Sequence, residues 1–208
     1  NTAVGYYALG SDTLGARNTA IGQETLASQN FTTATNSYNT AVGMNAGRLV
    51  TTGIQNTFVG GLAGDATDDG DYNTAVGHLA LSANCGDSNV AIGYDALLSY
   101  TGSGSIGIGS DAFSSLTSGA ANVATGFQAG LFATTADTSV FIGHQAGKGI
   151  TGAKLTGNLN TVIGASAGLL LQGGATQNVL IGALAGDAQT QCSSNVGIGV
   201  HALGLTIT

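Results

Sequence analysis

The stretch Asn73-Thr74-Ala75-Val76-Gly77 is one copy of a short motif that recurs along the whole chain. Most copies have Asn four residues before Gly, Val or Ile directly before Gly, and Ala three residues after Gly. The motif Gly occupies twelve positions: 5, 22, 43, 60, 77, 93, 109, 126, 143, 164, 182 and 199. A period of this kind is typical of repeat architectures, in which each structural unit stacks on its neighbours.

Each copy of the motif predicts one short β-strand. Residues rich in Val, Ile and Thr that end at Gly are typical of a strand followed by a turn. The spacing of 16 to 21 residues is too short for a strand with a crossover helix, which takes about 30 residues. We therefore predict an all-β fold, a parallel β-solenoid or β-roll of about twelve coils. Residues 1–208 are expected to form a single repeat domain within a longer fibre.

Two side-chain rows of this solenoid have predicted structural roles. The Val or Ile before each Gly is expected to fill the coil interior, because buried aliphatic side chains are the main source of stability. The repeated Asn is expected to form a ladder of amide hydrogen bonds between neighbouring coils, as stacked Asn side chains do elsewhere. The predicted ladder residues are Asn18, Asn39, Asn56, Asn73 and Asn89.

The middle strand residue, two positions before each Gly, is predicted to point away from the interior. This residue is apolar in all twelve copies, so both faces of the strand are apolar, which is typical of strands buried on both sides. A second copy of the chain would supply the missing cover, and we expect a parallel homo-oligomer. The predicted interface residues are Ala3, Ala20, Ala41, Phe58, Ala75, Ala91, Ala124 and Phe141.

The motif resembles a known class of repeat. Segments 39–43 and 73–77 are similar to the Asn-Thr-Ala-Val-Gly repeats of phage tail fibres and bacterial surface fibres. Segment 89–93, Asn-Val-Ala-Ile-Gly, is also similar to the head repeats of YadA-like trimeric autotransporter adhesins. The resemblance implies a homotrimer and a location outside the cell, on a cell surface or a virion.

The composition narrows the function further. Only 7% of the residues are charged and the net charge is −7, so the chain has no basic surface for nucleic acid. It has no apolar run long enough to insert into a membrane. Glu24 is the single Glu, and no pair of carboxylates or other catalytic constellation is evident. We therefore expect no enzymatic activity and no cofactor.

Three features are candidate ligand sites. An aspartate cluster is a candidate Ca²⁺ site, although a solvated turn explains the same residues: Asp65, Asp68, Asp69 and Asp71. The two longest repeats contain extra segments, 31–38 and 148–158, which are expected to leave the coil as loops. The aromatic residues Tyr6, Tyr94 and Phe127 complete the candidate surface for a cell-surface receptor or glycan.

The sequence thus predicts a structural or adhesive fibre segment that acts as a rigid spacer or a receptor-contacting head. One alternative is a subunit of a self-assembling extracellular filament. Another is an ice-binding solenoid, which would need an exposed row of Thr. The Thr row at positions 2, 19, 40, 57 and 74 gives way to Val90 and Ile106, and this exchange fits strand packing equally well.

Overall fold

A computed structural model describes residues 1–204, and its regular elements are all strands. The prediction of a parallel β-solenoid is confirmed. Two compact units divide the chain, Asn1–Gly104 and Ser105–Thr208, and each contains six of the twelve turns. No helix in residues 1–204 is long and apolar enough to cross a membrane.

The first unit stacks one three-residue strand per turn. Parallel pairing follows the chain order and keeps the motif in register, so that Thr57, Phe58 and Val59 lie opposite Thr74, Ala75 and Val76. Two shorter strands, β2 and β4, pair with each other separately. The strands are β1 (Thr2–Val4), β2 (Gly15–Ala16), β3 (Thr19–Ile21), β4 (Thr35–Asn36), β5 (Thr40–Val42), β6 (Thr57–Val59), β7 (Thr74–Val76) and β8 (Val90–Ile92).

The second unit repeats the same arrangement. Its six strands pair in parallel in chain order, with each motif in register with the next. The strands are β9 (Ile106–Ile108), β10 (Val123–Thr125), β11 (Val140–Ile142), β12 (Thr161–Ile163), β13 (Val179–Ile181) and β14 (Val196–Ile198).

The motif Gly follows each three-residue strand, and in most turns no other residue fits there. Gly77 has φ +138°, and a Cβ atom at this position would lie 2.4 Å from the carbonyl oxygen of Gly93 in the next turn. The backbone conformation and the close approach of the next turn both exclude a side chain. The same two constraints explain why Gly recurs at this place along the chain.

The interior is lined by the middle strand residue and not by the Val or Ile directly before Gly. Our prediction that this residue faces outward as an oligomer interface is wrong, because its side chain packs inside its own turn. Of the eight predicted interface residues, Ala3 in the first turn is exposed, and the other seven are completely buried: Ala20, Ala41, Phe58, Ala75, Ala91, Ala124 and Phe141. Strand side chains alternate between faces, so reversing one row reverses the whole strand.

The interior packs by an exchange of volume between two rows. We call the residue two before Gly the inner strand position, and the residue four after Gly the opposing position. In ten of the twelve turns one is large and the other is small, as in Phe58 with Gly64, Ala75 with Leu81, Ala91 with Leu97, Phe141 with Gly147, Leu180 with Gly186, and Gly197 with Leu203. Both are small in two turns, Ala41 with Gly47 and Ala124 with Gly130, where a Phe ring of a neighbouring turn lies against the Gly. A Cβ atom on Gly64 would lie 2.4 Å from the Phe58 ring, so the large side chain occupies the space that the small one leaves.

Both extra segments return to the body of their unit. In the first, β4 pairs with β2, and Phe31 is buried. In the second, Leu155 is completely buried and forms parallel bridges with Ala133 and Gly173. Each segment is therefore anchored by one apolar side chain and by backbone pairing.

Candidate functional site

The outer face of each unit is the candidate functional surface. We define it as the strand residues directly before the motif Gly and three positions before it, which flank the inner strand position. These side chains alternate away from the buried middle residue and therefore point outward. Ile142, for example, is 37% exposed, whereas Phe141 beside it is completely buried.

The outer face of the first unit combines two kinds of β-branched residue. Thr supplies the row three before Gly in five successive turns, and Val90 supplies it in the sixth. Val or Ile supplies the row directly before Gly in all six turns. Hydroxyl and methyl groups therefore alternate across this face, and its two rows carry no charged side chain.

The outer face of the second unit is more apolar. Val or Ile occupies ten of the twelve places in the two rows, and Thr125 and Thr161 occupy the others. Exposed members include Ile108, Ile142 and Ile198. With strands about 4.8 Å apart and each three residues long, six strands present a plane of about 290 Å². A plane of this size is comparable to the largest apolar patch of an ordinary monomer, which is often functional.

The five predicted ladder asparagines are buried and joined in series through the first unit. The Oδ1 atom of Asn56 accepts the backbone N–H of Asn73 at 2.8 Å, and its Nδ2 atom donates to the Gly70 carbonyl at 2.8 Å. Asn39 makes the equivalent bonds to Asn56 and Gly53. The Asn39 and Asn56 amides thus each join their own turn to the next turn and satisfy two backbone groups.

The ladder is incomplete where the chain has its first extra segment. The acceptor for each amide lies 13 or 14 residues further along for Asn39, Asn56, Asn73 and Asn89. The corresponding residue for Asn18 is Thr32, which lies inside the extra segment. The Nδ2 atom of Asn18 is buried without a hydrogen-bond partner. The local change in chain length explains this unsatisfied donor.

Aspartates of the predicted Ca²⁺ cluster take part in bonds between turns. Asp71 accepts the backbone N–H of Ile54 at 2.8 Å, and Asp68 accepts the Thr51 hydroxyl. Asp65 accepts the Ser82 hydroxyl. Within residues 1–204, no three or more His, Cys, Asp or Glu side chains are grouped so that they could hold a metal ion. Asp65, Asp68 and Asp71 are thus part of the hydrogen bonding between turns.

Of the three aromatic residues predicted to contact a ligand, two stack on a histidine ring. Tyr94 stacks with His78, with ring centroids 5.8 Å apart and planes 8° apart. Phe127 stacks with His144 at 5.5 Å and 20°. All four residues directly follow a motif Gly, so the register of the turns places them one above the other. The third, Tyr6, lies in the first turn beside Tyr7.

We did not identify the outer faces from the sequence, because the alternation of side chains in a three-residue strand does not indicate which face is inside. The volume exchange between the inner strand and opposing positions is visible in the sequence and could have settled the choice.

We also compared the chain with protein-family models, curated proteins and solved structures, and none of them matched.

Proposed function

We propose that the chain is a non-enzymatic fibre segment in which copies associate in parallel through their outer faces. The observation that carries the proposal is the contrast within each strand. The interior is filled by the chain's own side chains, yet uncharged β-branched residues remain exposed on the opposite side. An exposed apolar plane of this regularity is most simply covered by a second identical surface, because identical turns repeat at identical spacing.

A homotrimer is the association that we propose. The number three rests on the resemblance to the trimeric fibre repeats, and the uncharged outer face supports burial against other copies. Such a segment acts as a stiff extracellular spacer or adhesive head, on a cell surface or a virion. Stiffness comes from parallel strand pairing and from the asparagine ladder, both of which tie each turn to the next within a unit.

The test is the association state of outer-face variants. Sedimentation velocity and small-angle X-ray scattering should give a discrete trimer for the natural chain. Ile142→Lys should dissociate it, because a buried unpaired ammonium costs several kcal/mol. Leu159→Lys is the matched control, since Leu159 is exposed in the same unit but lies outside the outer face. A monomeric natural chain, or a trimer unaffected by Ile142→Lys, would overturn the proposal.

The alternative of an end-to-end filament predicts a different measurement. Particles would lengthen as the protein concentration rises, and electron microscopy would show fibrils of variable length. Ile142→Lys would leave such end-to-end growth intact, because the outer face runs along the side of the turns. A discrete particle whose mass does not depend on concentration would exclude the filament.

Ice binding is a second candidate, favoured by the outward row of Thr in the first unit. Thr2, Thr19, Thr40, Thr57 and Thr74 are in mutual register along adjacent strands. A flat array of regularly spaced hydroxyl and methyl groups could order water. Thermal hysteresis in the natural chain, abolished by the bulky substitution Thr57→Tyr, would support ice binding. The fibre proposal expects no thermal hysteresis.

A further inference from the structure

A groove on the first three turns combines two aromatic rings with a guanidinium and a carboxylate. It is lined by Tyr6, Tyr7, Glu24, Ala27, Ser28 and Arg48, and its volume is about 330 Å³. Cavities with a few convergent polar groups beside aromatic surface are typical of small-ligand sites. We call this cavity the Tyr–Arg groove. Its lining residues all follow the motif Gly of their turn and lie outside the outer face.

The aromatic wall of the groove is open to solvent. Tyr6 is 75% exposed and Tyr7 is 52% exposed, and their ring centroids are 6.3 Å apart with planes tilted by 37°. Tyr rings offer a rigid apolar face and a hydroxyl group that can donate or accept a hydrogen bond. A saturated ring with C–H groups on one face and hydroxyl groups at its edge has matching chemistry.

Arg48 gives the groove a charged group that its own protein leaves unsatisfied. Its Nε atom is buried and has no hydrogen-bond partner. Within residues 1–204 the Arg48 side chain makes no hydrogen bond or ion pair with the protein, so the part of the guanidinium that lines the groove can pair with an acceptor on a ligand. The chain has only four Lys and Arg residues against eleven Asp and Glu. Guanidinium groups pair best with carboxylates, which accept two parallel hydrogen bonds.

Glu24 and Ser28 restrict the ligand further. The Glu24 carboxylate accepts hydrogen bonds from hydroxyl groups and repels a simple anion. The Ser28 hydroxyl can donate or accept. A ligand that suits the whole groove therefore needs an apolar ring face, hydroxyl donors and one carboxylate.

We propose that the Tyr–Arg groove binds an acidic monosaccharide unit, a sugar ring that carries a carboxylate, within a surface glycan. The carboxylate pairs with Arg48, the ring packs on Tyr6 and Tyr7, and a ring hydroxyl donates to Glu24. A neutral sugar offers the Arg48 guanidinium no carboxylate, so it lacks this charge-assisted pair and binds more weakly. This inference deepens the adhesive part of the proposed function and rests on it, while the groove itself needs only one copy of the chain.

The test is a titration of the assembled protein with D-glucuronic acid and with D-glucose, followed by saturation-transfer NMR. Glucuronic acid should bind about tenfold more tightly than glucose, as expected for a charge-assisted pair. Arg48→Gln should remove that preference, and Tyr6→Ala should weaken both sugars. Arg17→Gln is the matched control, because it makes the same charge change at a residue whose guanidinium already contacts Tyr38.

The outcomes separate this inference from the fibre proposal. Equal binding of the two sugars, an unchanged preference in Arg48→Gln, or no binding of either sugar would overturn the groove assignment. Sedimentation of the same samples reports association independently. An intact trimer without sugar binding therefore refutes the groove alone. A monomer that still prefers glucuronic acid refutes only the association.

Discussion

The inner strand position and the outer face lie on the same three-residue strands but vary in opposite ways. The inner position ranges from Gly107 to Phe141, and in ten of the twelve turns a large residue at one of the two positions is paired with a small residue at the other. The outer rows stay β-branched and uncharged in every turn, and their sizes barely change. The interior is thus adjusted turn by turn within one chain. The constancy of the outer rows is what the proposed association of copies through the outer face requires.

We expect the largest effect on folding from a charged side chain in the interior. Ala91→Glu should abolish cooperative folding, because Ala91 is completely buried and an unpaired carboxylate there costs several kcal/mol. Circular dichroism with urea unfolding measures the loss.

Val90→Glu is the control for that experiment. It places the same charge on the outer face one residue away, where water can reach it. We expect this variant to stay folded and to lose association. A folded Ala91→Glu variant with natural stability would contradict our placement of the inner row.

Removing an interior ring should have the next largest effect. Phe141 packs edge-on against Phe113 at 5.6 Å and fills the space beside Gly147. Phe141→Ala should lower the free energy of unfolding by about 3–5 kcal/mol, the usual cost of a large cavity. Ile142→Ala on the outer face should cost much less in a dissociated chain. Equal losses for the two variants in urea unfolding would show that the faces are not distinct.

A compensating pair of substitutions sharpens the comparison. Leu180→Ala leaves a cavity worth about 2–5 kcal/mol, and Gly186→Leu alone overpacks the same space by about 1–3 kcal/mol. The double variant reproduces the combination of Ala75 with Leu81, where Leu81 has φ 54°, close to the 60° of Gly186. The double variant should recover most of the stability. Additive losses in urea unfolding would refute the exchange of volume.

The smallest effect concerns the two thiols, one buried and one half-buried. Burial raises the pKa of the Cys85 thiol, so a smaller fraction is the reactive thiolate at mildly alkaline pH. Cys192 should react with a thiol reagent about tenfold faster than Cys85 in the folded protein. In denaturant the two rates should become equal, which serves as the control. Equal rates in the folded protein would place Cys85 outside the interior.

Sequence reasoning predicted the parts of the fold that depend on spacing. The period predicted about twelve turns, and the motif predicted strands such as Thr74–Val76 that end at Gly. It misassigned the two faces, because an apolar residue stood at all three strand positions in copies such as Val140–Ile142. Alternation alone then fits either orientation, and a shift of one residue reverses every side chain. The inverse relation in size between the inner strand position and the opposing position, as in Phe58 with Gly64, contains the missing information.

The candidate groove could not be predicted from spacing. Tyr6, Glu24 and Arg48 come from three turns and occupy three different places relative to the motif Gly. Their proximity depends on how the turn after each Gly is coiled. That coil uses left-handed backbone at ordinary residues such as Tyr7 and Glu24, with φ 56° and 53°. Such conformations are uncommon outside Gly and are not evident from residue type.

The shared space around Phe58 has a consequence for how such a chain can change in length. The ring lies against Gly47 of the preceding turn as well as Gly64 of its own turn. Excising the turn of Phe58 would leave a hole beside Gly47, whereas the turns of Ala75 and Ala91 each carry their own Leu. A whole turn can therefore be gained or lost without leaving a cavity only where each turn fills its own interior. Such turns can be located from the order of large and small residues.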